Sequence, residues 1–248
     1  MRSNRIGATT PSSPAKSMFL FDAHSHLTDA AILHPDHVRV ICGTREADWE
    51  AVLAHAASGD RILPMLGLHP WFVAEASPEW APRMEGLLRS HRTGVGECGL
   101  DFARMDADRA SQESAFRIQL RLAHALHRPV AIHAVRAWGR LADLLREEGV
   151  PAAGAMVHAF SGSPETAMAL QAKGVFLSFS GDLLQPGRPK LWDTLRAMDP
   201  GLLLLETDGV ADLERMIATA AEIRGVPAAV LGHQTWENGR RLFRELMT

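Results

Sequence analysis

Residues 130–158, VAIHAVRAWGRLADLLREEGVPAAGAMVH, contain the pattern on which the fold assignment rests. Two short β-prone runs, Val130–His133 and Ala155–His158, enclose a segment of helical period, Trp138–Glu148. Short strands that alternate with longer helices are typical of βα units around a parallel sheet. This stretch therefore predicts one strand–helix–strand unit of such a sheet.

The same alternation extends along the chain from Met18 onward. The predicted strands are Met18–Asp22, Val38–Cys42, Ile62–Gly67, Gly94–Glu97, Val130–His133, Ala155–His158, Val175–Ser178 and Leu202–Glu206. The predicted helices are Glu46–Ala57, Pro78–Ser90, Ser111–His127, Trp138–Glu148, Pro164–Lys173, Lys190–Met198, Asp212–Arg224 and Val226–Met247. Eight strands alternating with eight helices favour a single-domain α/β fold, the (β/α)₈ or TIM barrel, over a doubly wound sheet.

Composition sets the broad class of the protein. A chain of 248 residues with 46% hydrophobic and 22% charged residues is not mainly disordered, and we expect one barrel domain over residues 18–248. Residues 1–17 contain many Ser, Thr and Pro but no apolar core of a secretory signal, so they predict a flexible tail. No apolar run approaches the roughly 18–20 residues that span a bilayer, so no membrane partner is expected.

Cysteine content and net charge limit the cellular location and the class of substrate that we expect for this chain. The two cysteines, Cys42 and Cys98, have no CxxC spacing, which excludes a disulfide scaffold and favours a cytoplasmic location. Lys and Arg number 26 against 29 Asp and Glu, a formal charge of −3. No global positive field is therefore present to hold a polyanion, and a nucleic-acid substrate would require a local basic patch or metal ions.

Histidines and carboxylates collect at the ends of the predicted strands. Five of the twelve histidines stand there: His24, His26, His69, His133 and His158. Because strand side chains alternate with period two, His24 and His26 are expected to point to the same side, into the barrel mouth. Glu97 ends the fourth strand, and Glu206 and Asp208 end the eighth. Barrel enzymes keep their chemistry at this end of the strands.

This convergence predicts a metal site. A single histidine such as His69 is more often structural than a ligand, but several imidazoles and carboxylates together are costly to bury without a cation. Histidine with Asp or Glu is the ligand mixture expected for Zn²⁺ or Mn²⁺. Cys98 follows Glu97 and should face the helices as a core residue, not as a nucleophile. The remaining histidines are assigned no site role: His34, His37, His55, His91, His124, His127 and His233.

Seven short blocks between Phe19 and Phe243 carry a family resemblance. They are Asp22-Ala-His24-Ser-His26-Leu27, Gly67-Leu-His69-Pro70, Gly94-Val-Gly96-Glu97-Cys-Gly99-Leu100-Asp101, Pro129-Val-Ala-Ile-His133, His158-Ala-Phe160-Ser161-Gly162, Leu205-Glu206-Thr207-Asp208 and Asn238-x-x-Arg241-Leu242-Phe243. In this order they resemble the TatD family of metal-dependent deoxyribonucleases and hydrolases, a branch of the amidohydrolase-like barrel enzymes. The resemblance implies a 3′ exonuclease that hydrolyses phosphodiesters at DNA ends or in oligonucleotides.

The resemblance also implies roles for individual residues. His24, His26 and Asp208 would hold one divalent cation and His133 and His158 a second, with Glu97 bridging the two. The cations, Zn²⁺, Mg²⁺ or Mn²⁺, would activate a water, and Asp208 would accept its proton as general base, so that Asp208 and Glu97 are the catalytic residues. At further family positions, His69 and Glu206 would contact the metal ligands from outside or line the substrate pocket. Arg136 is a candidate contact for a substrate phosphate.

Two departures from the family pattern bear on the substrate. The family commonly has an Arg two residues after the fifth-strand His, whereas here Val135 intervenes before Arg136. The usual Pro-rich loop after Asp208 is shortened to Gly209-Val-Ala-Asp212.

The net charge mildly favours an alternative, a small-molecule amidohydrolase, lactonase or esterase with the same two metals, because fold does not fix function. A binding protein without catalysis is the third reading, disfavoured by the intact ligand set. The oligomeric state is open, and a monomer is compatible with the sequence.

Overall fold

A computed structural model describes residues 20–28, 37–59, 61–104, 108–209 and 212–247. Eight strands form one parallel sheet in sequence order, and the first strand also contacts the last. The strands are β1 Phe21–Ser25, β2 Val38–Cys42, β3 Ile62–Leu66, β4 Gly94–Asp101, β5 Val130–Val135, β6 Ala155–Val157, β7 Phe176–Phe179 and β8 Leu203–Leu205. The predicted TIM barrel is confirmed.

Helices follow the strands with the predicted alternation. They are α1 Trp49–Ala56, α2 Trp80–Ser90, α3 Arg109–Leu126, α4 Trp138–Glu147, α5 Pro164–Gln171, α6 Pro189–Ala197, α7 Leu213–Arg224 and α8 Ala228–Leu242. Helix α5 begins as the sequence indicates, because Ser163 Oγ accepts a hydrogen bond from the Thr166 amide and Pro164 occupies the first turn. None of the helices in the described ranges is long and apolar enough to cross a bilayer.

Several element boundaries differ from the sequence prediction, and two of them, together with one helix that was not predicted, bear on the site. Strand β1 extends to Ser25 rather than ending at Asp22, since the Ser25 hydroxyl and backbone join the ladder with β2. Strand β4 continues to Asp101 because its second half pairs with β5 as far as Val135. A 3₁₀ helix that was not predicted, Pro70–Glu75, starts directly after His69. The predicted tail at residues 1–17, His34, and residues 210–211 of the shortened loop lie outside the described ranges.

Alternation along the strands divides the core into two layers. In β5, Val130 and Ile132 belong to the layer between strands and helices, whereas Ala131 belongs to the layer inside the barrel. The next inward position is His133, so strand period alone directs its imidazole toward the barrel mouth. Cys98 is fully buried in the outer layer, which confirms its predicted role as a core residue.

Candidate metal centre

The Glu97 carboxylate lies at the centre of a cluster of histidine side chains and is almost completely buried. Five histidines from the ends of β1, β3, β5 and β6 approach its two oxygens. The Glu97 Oε1 distances are 2.8 Å to His158 Nε2, 2.9 Å to His133 Nδ1 and 3.2 Å to His69 Nε2. The Glu97 Oε2 distances are 3.3 Å to His24 Nε2 and 3.5 Å to His26 Nε2. Residues distant in sequence thus converge on one buried carboxylate.

The donor atoms fit a cation better than a hydrogen-bond network. Ring nitrogens face each other at 3.1 Å between His133 and His158 and at 3.3 Å between His24 and His26. The buried Glu206 Oε2 has no hydrogen-bond partner among the described residues, and His158 Nδ1 has only a 3.4 Å ion-pair contact with Glu206 Oε1. Such weakly satisfied buried polar atoms are costly unless a cation compensates them. Three residue groups bring ligand atoms within 4.8 Å of one another: His24 with His26 and Glu97, His24 with His158 and Asp208, and His69 with Glu97 and His133.

Burial and neighbouring charges set the protonation of these groups. Burial lowers the pKa of His24 and of His69, which favours the neutral imidazole in both rings. Burial opposes the charge on Glu97, but the surrounding imidazoles outweigh it and hold the pKa of that carboxyl well below its usual range. Burial raises the pKa of Asp208, whose Oδ1 lies 3.7 Å from His26 Nε2. Burial opposes the charged form of His158, but the carboxylates of Glu97 and Glu206 outweigh it and raise its pKa well above the usual value. The site thus combines an ionised buried carboxylate with the neutral imidazoles of His24 and His69.

Asp101, at the end of β4, holds the outer edge of the His133 ring. Its Oδ2 lies 3.3 Å from His133 Nε2 and accepts a 2.6 Å hydrogen bond from Trp71 Nε1, while its Oδ1 accepts from the Ala103 amide at 2.9 Å. Burial opposes the charged form of His133, but the hydrogen bonds with Asp101 and Glu97 outweigh it and raise its pKa. The carboxylate of Asp101 therefore fixes the ring so that Nδ1 faces Glu97.

Two buried glutamines on α3 hold the segments that carry these residues. Gln119 bonds both backbone groups of Leu68, at 2.8 and 3.1 Å, immediately before His69. Gln112 bonds both backbone groups of Asp101, at 2.8 and 3.2 Å. The sequence reasoning did not identify them. Their spacing of seven residues, about two helical turns, with both glutamines on the apolar face of α3, was the available signal.

On the opposite side of the mouth, Asp22 ties β1 to the end of β8. Its carboxylate accepts from the Thr207 amide at 2.9 Å and from the Thr207 hydroxyl at 2.7 Å, and burial raises its pKa to about 7. The following residue, Asp208, donates its amide to the His24 carbonyl at 3.1 Å and has a φ of 44°, which Asp tolerates better than most residues. Glu206 is fully buried and accepts from the Ala159 amide at 2.7 Å.

A cavity of about 520 Å³ opens above this cluster. Glu97, Asp208 and four of the five histidines line its base, and Arg45, Trp71 and Phe72 line its wall. Arg136 is exposed one residue after β5 and is not among the lining residues. Sequence reasoning missed Arg45, because no motif marks it. Of the seven histidines assigned no site role, the six that are described lie outside this lining.

Comparison with known proteins gives the family. The chain matches the model of the TatD related DNase family over residues 21–244. It is 31% identical over 225 residues to the 3′-5′ ssDNA/RNA exonuclease TatD of Erwinia tasmaniensis, covering 82% of this chain and 87% of that protein. It is 28% identical over 256 residues to the uncharacterized metal-dependent hydrolase YcfH of Escherichia coli K12, covering 91% of this chain and 96% of that one.

A solved structure agrees in fold. The TatD homologue YJJV of Escherichia coli K12 superimposes with a TM-score of 0.84 at 25% identity, covering 91% of this chain and 98% of that one. The resemblance found in the seven sequence blocks is confirmed, and with it the prediction of a hydrolase that uses divalent metal. The chain belongs to the TatD related DNase family.

Proposed function

We propose that the protein is an exonuclease that removes nucleotides from the 3′ end of single-stranded DNA. The observation that carries this proposal is the buried Glu97 carboxylate, surrounded by five imidazoles at the base of an open cavity. The volume of about 520 Å³ lies within the ~300–1,000 Å³ of small-ligand sites, so it suits one nucleotide at a chain end. The Erwinia tasmaniensis relative is named as an exonuclease of single strands, which supports the same assignment.

Two divalent cations are part of the proposal. His24, His26 and Asp208 would hold one and His133 and His158 the other, with Glu97 shared. His69 is not included among the ligands, because its Nδ1 accepts a hydrogen bond from the Trp71 amide at 3.1 Å. The neutral ring then carries its proton on Nε2, which lies 3.2 Å from Glu97 Oε1. When bound, such cations polarise a phosphoryl oxygen and acidify a water.

Three carboxylates of the chain would accept a proton or hold the histidine rings in place. Asp208 lines the cavity with a partly exposed carboxylate, and burial raises its pKa, so it is suited to accept the proton of the attacking water. Asp101 and Glu206 hold the rings of His133 and His158 from outside the cluster, at 3.3 and 3.4 Å. Both contacts restrict ring rotation and leave the inner nitrogens directed at Glu97.

The test uses one oligonucleotide labelled at either its 5′ or its 3′ end. With Mg²⁺, Mn²⁺ or Zn²⁺, we expect the 3′-labelled strand to release labelled mononucleotide at once, whereas the 5′-labelled strand shortens stepwise. Chelator should abolish both reactions, and a long blunt duplex should be a poorer substrate. Release of 5′ mononucleotide first, or internal cuts in a circular single strand, would contradict the proposed polarity.

The alternative is a small-molecule amidohydrolase, lactonase or esterase, favoured by the formal charge of −3 and by a cavity of small-ligand size. Hydrolysis of an amide or lactone, with no cleavage of single-stranded DNA under any of the three metals, would decide for this alternative. Salt separates the two as well, since a phosphate backbone makes affinity fall with ionic strength and a neutral substrate does not.

A further inference from the structure

The cavity wall holds an aromatic ring that is both exposed and fixed. Trp71 is 47% exposed, although large apolar side chains are usually covered. Its indole N–H donates to Asp101 Oδ2 at 2.6 Å, and its backbone amide donates to His69 Nδ1 at 3.1 Å. The ring centroid lies 4.9 Å from that of His69 and 6.3 Å from that of His133. The indole therefore stands beside the metal centre in one orientation.

A cation lies on the same wall. The Arg45 guanidinium is 4.6 Å from the centroid of the Phe72 ring, the residue after Trp71. Arg45 is exposed, and among the described residues it forms no ion pair. The adjacent carboxylate of Glu46 is engaged elsewhere, by the amide and hydroxyl of Ser77 at 2.7 and 2.9 Å. The positive charge of Arg45 thus remains available to a ligand in the cavity.

The loop carrying Arg45 is itself anchored. The Asp48 carboxylate accepts hydrogen bonds from the amide and hydroxyl of Thr44 at 3.0 and 2.9 Å, and from the Arg45 amide at 3.3 Å. The backbone below the guanidinium is therefore held, while the side chain extends over Phe72. A fixed ring and an anchored cation on one wall form a preorganised surface, which reduces the entropy lost on binding.

We propose that Trp71 and Arg45 form the subsite for the 3′-terminal nucleotide, in which the base stacks on the indole and the guanidinium contacts a phosphate. This rests on the exonuclease function proposed above. Every base presents a π face, so stacking accepts all four bases, and Arg binds phosphate through charge-assisted hydrogen bonds. The subsite would thus require a base at the 3′ end without selecting which one.

The experiment compares two oligonucleotides that differ only in whether the 3′-terminal nucleotide carries a base or is abasic. The stacking of one base corresponds to about a 5- to 150-fold difference in affinity. Wild-type holoenzyme should show a loss of this size in kcat/KM on the abasic strand, mainly through KM. Trp71→Leu should cleave both strands equally poorly. Trp71→Phe loses the same N–H bond to Asp101 but keeps a ring, so it should still distinguish the two strands.

Controls separate stacking from damage to the metal centre. Metal content and melting temperature are measured for each variant, and affinity is also measured by fluorescence anisotropy on a strand with a non-hydrolysable 3′ phosphorothioate. Val230→Ala changes another exposed apolar residue, on α8 and outside the cavity lining, and should leave all values unchanged. Arg45→Gln should flatten the plot of log KM against log salt by about 0.7, the value for one phosphate of a single strand.

Each outcome bears on a stated claim. Equal discrimination by wild type and Trp71→Leu, with normal metal content, overturns the stacking role of Trp71 while the exonuclease function stands. An unchanged salt slope in Arg45→Gln overturns the phosphate contact. Failure of the wild type to cleave either strand under all three metals overturns the exonuclease function, and the nucleotide subsite with it.

Discussion

Asp101→Asn tests how strongly the residue behind His133 controls the metal centre. One carboxylate oxygen receives both Trp71 Nε1 and His133 Nε2, and the other receives the Ala103 amide. Asn offers one acceptor oxygen and one NH₂ group. In either orientation of the amide, a donor then faces a donor, and the negative charge beside His133 is lost. The ring of His133 is consequently held less firmly.

The size of the effect follows from these contacts. Loss of an outer hydrogen bond to a metal-ligating histidine typically costs about 10- to 100-fold in metal affinity, or ~1.4–2.8 kcal/mol. A hydrogen bond to a charged group is worth about 1.5–3 kcal/mol, which agrees with that range. We therefore expect the Kd for Zn²⁺ or Mn²⁺ to rise by this factor at the proposed cation site of His133 and His158, with folding retained.

The assay is titration of metal-free protein with Zn²⁺ in the presence of a competing chromophoric chelator. Asp143→Asn is the matched control, because it removes an exposed carboxylate on α4 that pairs only with Arg146 at 2.9 Å in the described structure. A Kd for Asp101→Asn within twofold of wild type, at an unchanged melting temperature, would refute the positioning role of Asp101.

Three further predictions address other groups. Glu97→Ala should lower the metal content at both cation sites together, as measured by elemental analysis, and full occupancy in this variant would contradict the shared ligand. Asp208→Asn should reduce kcat by about 10²- to 10⁴-fold with the fold retained, while His55→Ala and His124→Ala should leave turnover unchanged; near wild-type turnover of Asp208→Asn would exclude it as the base. Hydrogen bonds from Arg121 and Arg117 lower the pKa of Glu148 to about 2, so its contribution to stability is present above about pH 4.5 and is lost as the pH falls through 2. Glu148→Gln should therefore reduce the free energy of unfolding by about 1 kcal/mol or less at pH 7 and by almost nothing near pH 2, and an equal loss at both pH values would contradict this linkage.

The barrel and its ring of histidines could be predicted because both follow from local periodicity. Strand period two places His133 inward once Val130 and Ile132 face the helices, and the same alternation keeps Cys98 away from the mouth. The parallel order of the strands then brings their carboxyl ends to one rim. Convergence of imidazoles and carboxylates at that rim follows from this order, whereas the central place of Glu97 was implied only by the family resemblance.

The supporting contacts could not be predicted in the same way, because they join segments far apart in sequence. Trp71 and Asp101 are separated by 30 positions, and Leu68 and Gln119 by 51. Neither pair belongs to one helix or one strand, so no period relates them. The end of β1 was misplaced for a similar reason: its ladder with β2 shifts register between Asp22 and Ser25, and such a bulge leaves no mark on the apolar pattern.

The proposed metal centre and the cavity wall differ in the same way, because the first depends on the strands and the second on the connections between them. The proposed metal donors stand on or shortly after strands whose spacing is fixed by the sheet, whereas Trp71, Phe72 and Arg45 belong to connections that tolerate change. Substrate preference can therefore diverge within the barrel while the cation ligands stay in place. Asp101 limits that freedom, because the carboxylate that orients His133 also holds the indole of Trp71. A replacement at position 71 that changes the wall without supplying a donor should therefore also loosen Asp101 at one edge of the proposed metal centre, so the cavity wall and that centre are coupled through one carboxylate.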